Sequence, residues 1–135
     1  MQKWIEQPRP RKPLYLIVFK SRQIGLSTLL AAIAAYLITF FESSKVLELS
    51  QKEADAGELL DKSRFIIKHY PQWLRGKLDP DQQSMIGFPA SYGKIQALPS
   101  TEDAGRSTDA TLVIADEWEK HPYSEQNFAA IKPTM

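Results

Sequence analysis

"KSRQIGLST", residues 20–28, stands between a short apolar run, "PLYLIVF" at 13–19, and a long Ala- and Leu-rich stretch. A strand, a tight glycine-bearing turn and a helix are the parts of a phosphate-binding loop. In such a loop backbone N–H groups converge on one point, a helix N-terminus stands behind them, and a cation and a hydroxyl complete the cradle. The usual sequence is GxxxxGK[ST]. Aligned on Gly25 and Ser27, this chain has Lys20 where the first glycine belongs and Leu26 where the lysine belongs. The chemistry is kept better than the pattern. Gly25 lets the backbone turn into the helix, Ser27 stands in the first helical turn, and Lys20 and Arg22 bring cations from the other side of the loop. The plainer alternative is a connection in which Lys20, Arg22 and Gln23 are exposed and Gly25 and Ser27 only start a helix.

Around this loop the chain supplies one domain. Its 135 residues, 43% hydrophobic, are enough for a single core and too few for two comfortable ones. A net charge of +1 excludes a polycation held on nucleic acid by bulk charge. The leader at 1–13 is locally basic, with Lys3, Arg9, Arg11 and Lys12 against Glu6. It reads equally well as a phosphate-meeting segment or as a solvated strand leader. The absence of cysteine removes disulfides, thiolate zinc sites and a cysteine nucleophile, and fits an intracellular protein. His69 and His121 lack metal-ligand spacing and read as surface or helix-end residues. No signal peptide is visible, and "LLAAIAAYLITFF" at 29–41 is shorter than the roughly 18 to 20 apolar residues a membrane span needs.

Periodicity gives the elements. "PLYLIVF" reads as a fully buried strand, and the run after Gly25 as a helix apolar almost all round and sandwiched inside a core. "KVLELS" at 45–50 is a second strand. Residues 51–70 form an amphipathic helix with Ala56, Leu59, Leu60, Phe65, Ile66 and Ile67 mostly on one stripe, Ser50 as N-cap, Glu53 at capping-box spacing and Pro71 as terminator. "SMIGF" and "KIQALP" are short strands around the turn "PASYG", and 100–109 is a polar surface loop. "ATLVIADEW" at 110–118 is a third strong strand, and "SEQNFAAI" a last short helix before Pro133. Alternating strands and helices predict an α/β fold with a mostly parallel sheet flanked by helices, whose ligands bind beyond the carboxyl ends of the strands.

The second chemical signal ends the third strand. Four consecutive apolar residues, Leu112, Val113, Ile114 and Ala115, lead into Asp116 and Glu117. This is the Walker B arrangement, in which the aspartate holds Mg²⁺ and the adjacent glutamate polarises the attacking water. Successive strand residues point to opposite sides, so the two carboxylates can take separate tasks. A strand that merely ends in charged surface residues would look the same, but the pairing of a cationic Gly-Ser turn with a later acidic strand end is more specific than either alone.

With these motifs in place, the chain resembles the ATPase domain of the large terminase subunits of tailed bacteriophages. "KSRQIGLST" is similar to that family's divergent Walker A, K-x-R-Q-x-G-x-[ST], with its cation moved early. "SQKEADAGELLDKSRFIIKHYPQWL" is similar to its second strand and following helix, and "GKIQALPSTEDAGRSTDATLVIADEWEKHP" to its G-x-I-x-A-L-P segment, arginine-bearing loop and Walker B. "AAIKPTM" resembles the stretch before its coupling motif.

The resemblance implies a P-loop NTPase of RecA/ASCE type, with core 14–135 behind the leader, that uses ATP and Mg²⁺ to drive double-stranded DNA into a procapsid. Carried over by position, Lys20 and Arg22 would contact the β- and γ-phosphates, Gly25 would permit the turn, and Ser27 and Asp116 would hold Mg²⁺. Gln23 and Thr28 would join the nucleotide site, and Glu117 would be the catalytic glutamate. Trp4, with Gln2, is similar to an adenine-side Q motif. Arg106 is a candidate for trans activation or phosphate sensing, beside the reading of a plain exposed arginine. The implied partners are double-stranded DNA, the portal protein, the small terminase subunit and a homo-oligomeric ring, with no membrane, in the bacterial cytoplasm at the portal. The family's coupling motif and nuclease domain do not appear in these residues, so the expectation is a single, incomplete ATPase domain. Two alternatives stay open: another P-loop DNA translocase or helicase, and a truncated remnant that folds without hydrolysing.

Overall fold

The computed structural model describes residues 16–17, 25–99, 109–115 and 124–131. Its centre is "KVLELS". These residues form strand β1 (Lys45–Ser50), paired on both edges by parallel strands. On one side lies β3 (Gly93–Pro99), from Lys45↔Lys94 to Ser50↔Pro99; on the other lies β4 (Leu112–Ala115), from Val46↔Leu112 to Leu49↔Ala115. β2 (Met85–Phe88) pairs antiparallel with β3 and closes the order β2-β3-β1-β4. The fold is therefore α/β with a mixed four-stranded sheet, and the expected hairpin is present, turning through Pro89–Tyr92 with Tyr92 in the left-handed region at φ 58°.

Strand alternation divides the core into two faces. Val46, Ile95, Ala97 and Ile114 point to the face covered by helices α1 (Leu26–Phe40) and α2 (Glu53–Lys68). Leu49, Leu98, Val113 and Ala115 form a separate apolar cluster. On α1 the inward stripe is Ala31, Ala34, Ala35 and Ile38, and on α2 it is Ala56, Leu59, Leu60 and Ile67, all buried. Small residues on α1 let the two helices pack closely, which draws Ser63 of α2 within hydrogen-bonding distance of the Ala31 carbonyl, 3.1 Å away. A third helix, α3, spans Ser124–Ile131 as the sequence predicts.

The far end of α1 is fastened to the start of β3. Ser91 Oγ donates to the Ile38 carbonyl, and Gly93 lies so close that an added Cβ would stand 2.5 Å from that same oxygen. Thr39 Oγ1 donates to the Ala35 carbonyl at 2.7 Å and lies 3.0 Å from the Tyr70 hydroxyl. On the outside of α2, Arg64 and Lys68 pair with Asp81 at 2.7 and 3.1 Å. Exposed pairs of this kind contribute about 0 to 1 kcal/mol.

Four sequence expectations are corrected. Leu16 and Ile17 are 84% and 78% exposed and belong to no strand, so that part of the apolar run is not buried; the rest of it lies outside the described residues. α1 is not sandwiched: Leu29, Ile33, Tyr36 and Phe40 face outward, because its inward face is satisfied by one layer of sheet and α2. Ser50 is the last residue of β1, so the N-cap of α2 falls to Lys52, without a side-chain cap. Phe65 leaves the α2 stripe and stacks on His69, ring centroids 3.9 Å apart, at the exposed helix end where that histidine was expected. β4 covers Leu112–Ala115 of the strand expected over 110–118, of which 116–118 lie outside the described residues, as do 100–108 of the expected loop.

Two glycines give opposite expectations. In Gly93→Ala the new methyl would meet Ile38 backbone atoms at 2.5 and 2.7 Å, which cannot swing away. Urea titration should show a loss of about 1–3 kcal/mol. Gly57 lies inside α2 with open space around it, and Gly57→Ala should gain up to about 1 kcal/mol.

Candidate functional site

Because β1, β3 and β4 run parallel, Ser50, Pro99 and Ala115 end at one edge of the sheet. α1 runs the other way. Its C-terminal part is held at the entry to β3 through Ile38, Ser91 and Gly93, whereas Ala31 shares the Ser63 hydroxyl with Glu48, well along β1. From Ala31 to Gly25 the helix rises roughly 9 Å. From Glu48 to the end of β1 the strand advances roughly 7 Å. The beginning of α1 thus stands at the carboxyl edge, the edge at which the chain leaves β4. In a parallel sheet this is the side on which ligands bind.

Gly25 makes that helix start usable. It is the N-cap, with φ 75° and ψ 12°, a left-handed conformation that a side chain resists. Among the described residues a Cβ at Gly25 would meet nothing within 4 Å, so it is the backbone conformation that asks for glycine here. The helix start has no side-chain cap and no acidic residue in its first turn. First-turn amides and the helix dipole therefore present partial positive charge that no carboxylate within the helix offsets, which suits an anion. Ser27 is half-buried and Thr28 exposed in that same turn.

Of the residues singled out from sequence, the structure brings Gly25, Ser27 and Thr28 to this edge. Lys20, Arg22, Gln23, Asp116 and Glu117 lie outside the described residues, as do Gln2, Trp4, Arg106 and His121. The end of β4 at Ala115 nevertheless delivers the chain to the edge one residue before Asp116. Among the described residues there is no group of three His, Asp or Glu able to hold a metal, and no helix long and apolar enough to cross a membrane.

Sequence reasoning missed one ionisable group close to this region. Glu48 is completely buried on the helix-covered face of β1, flanked in register by Ala97 and Ile114. Its Oε1 lies 3.4 Å from Ser63 Oγ, and its Oε2 has no hydrogen-bond partner among the described residues. Burial pushes its carboxyl up to about 8, with the Ser63 hydroxyl holding it back. The available signal was strand parity: Val46 and Glu48 must share a face.

Replacing Gly25 by alanine should cost about 1 kcal/mol of stability in a denaturant titration, through backbone conformation. Gly25→Asn, which tolerates the left-handed region better, should recover part of the loss. No protein-family model matches this chain, so what the site can do follows from its own residues.

Proposed function

We propose that this chain binds Mg·ATP at the carboxyl edge of its sheet and is the ATPase part of a DNA-packaging motor of the large-terminase kind. The observation that carries the reading is the meeting, at one sheet edge, of an uncapped helix start turned by left-handed Gly25 and the strand that runs into Asp116-Glu117. A triphosphate needs both: amides and cations for its oxygens, and carboxylates for its metal and its attacking water.

In this reading the first-turn amides of α1 receive phosphate oxygens, and Lys20 and Arg22 reach them from the loop's other end. Ser27 and Asp116 would hold Mg²⁺, which when bound neutralises charge developing on the phosphates. Glu117 accepts a proton from the attacking water and orients it in line with the γ-phosphorus. Double-stranded DNA, a portal and a homo-oligomeric ring follow from the terminase resemblance and belong to the same proposal.

Calorimetric titration with Mg²⁺ and a slowly hydrolysed ATP analogue tests it directly. Saturable binding should appear, and Lys20→Ala should weaken it at least tenfold, about 1.4 kcal/mol. A folded chain that takes up no nucleotide would remove the reading. Glu117→Gln should retain the analogue while ATP turnover, followed by phosphate release, falls by a factor of about 10² or more. Unchanged turnover would take Glu117 out of its role.

A further inference from the structure

We propose that Glu48 is carried as a neutral acid and forms with Ser63 a proton-operated latch joining β1, α2 and α1, which releases α1 when the proton leaves. The inference rests on the core geometry and is independent of nucleotide binding.

The argument is one of hydrogen counting. Ser63 has a single hydroxyl hydrogen. Its oxygen lies 3.1 Å from the Ala31 carbonyl on α1 and 3.4 Å from Glu48 Oε1 on β1. If Glu48 is protonated on Oε1, the acid donates to Ser63 Oγ and Ser63 donates onward to Ala31, so each hydrogen has one acceptor. Three elements are then tied in one chain, and the unpartnered Oε2 is the neutral carbonyl oxygen, which tolerates that state far better than half of a carboxylate would.

Loss of the proton to solvent breaks the chain. The one hydroxyl hydrogen must turn to the carboxylate, and the bond to α1 is given up. No cation in the described structure takes the place of that proton. α1 has no charged residue, and its Tyr36 points outward. On α2, Asp55, Glu58, Asp61, Lys62 and Lys68 are exposed, and Arg64 is engaged with Asp61 and Asp81. On the sheet, Lys45 and Lys94 are exposed at the opposite end of their strands, and β4 has no charged residue. Burial and Ser63 are the two influences on the Glu48 carboxyl.

The sign is fixed. An acid whose pKa is raised by folding makes the native state bind one proton more than the unfolded state, between the ordinary value of 4.5 and about 8. Stability is therefore greatest at low pH within that window and falls as pH rises through it, with the folding equilibrium constant dropping about tenfold per pH unit.

The decisive experiment joins infrared spectroscopy with hydrogen exchange on the wild-type chain. At about pH 6.5, where exposed carboxyls are ionised, a protonated-carboxyl stretch should be present and should disappear as pH passes about 8. Protection of the Ala34, Ala35 and Ile38 amides should fall over the same range, after correction for intrinsic exchange, more than protection within β1. Glu48→Gln should lack the band, and both its α1 protection and its urea-derived stability should be flat from pH 5 to 8. Absence of the band at pH 6.5, a band that titrates while α1 protection stays constant, or an unchanged slope in Glu48→Gln would each overturn the latch. Should Glu48→Gln not fold, the two wild-type measurements decide.

Discussion

A parallel strand hydrogen-bonded along both edges cannot turn a face to water unless nothing covers it, and β1 is covered. The other strands and helices α1 and α2 are arranged around that strand. Its Val46 face requires helices, which α1 and α2 supply; its Leu49 face gathers Leu98, Val113 and Ala115. Because β3 and β4 must both run with β1, their carboxyl ends share one edge. Because α1 enters β1 through the short link at 41–44, it must run back along the sheet and start at that same edge. The location of the candidate site is thus a consequence of strand pairing before any side chain is considered.

The elements legible from sequence were those in which local preference and burial agree. "KVLELS" is apolar and strand-forming and is a strand to the residue; "SMIGF" and "KIQALP" frame a turn-rich segment and form the hairpin; "SEQNFAAI" is α3. Where reading failed, tertiary context outweighed local pattern. The composition of α1 suggests burial on every side, yet Leu29, Ile33, Tyr36 and Phe40 are exposed, and composition contains no information about how many layers will surround a helix. Ser50 and Glu53 have the spacing of a capping box, but β1 claims Ser50 for its last ladder position. Leu16 and Ile17 have strand propensity without a paired strand, and propensity alone does not bury a residue.

Of the candidate site, the turn at its centre was legible. Gly25 was identified as the turn-permitting residue, and its left-handed conformation is the physical reason for a glycine there. That α1 starts at the edge where β4 ends could not be read from sequence, since it depends on which strands pair with β1; Gly93, which admits the Ile38 backbone, holds the other end of the helix. Glu48 was passed over because a lone acid in an apolar strand looks like an exposed position. Only the packing of α1 and α2 over that face of β1 excludes that reading.

The pairing of β1 on both edges has a consequence for synthesis. Lys45 and Thr111, which meet where β1 and β4 begin, are 66 residues apart in the chain. As the polypeptide grows, β1 emerges with both edges open. The β2–β3 hairpin can form locally and cover one edge, but the other stays exposed until the residues of β4 follow. An apolar strand with one unpaired edge is a template for other chains. Between the synthesis of residue 50 and that of residue 115 this edge is open, and β4, which pairs with it, is the strand that closes it.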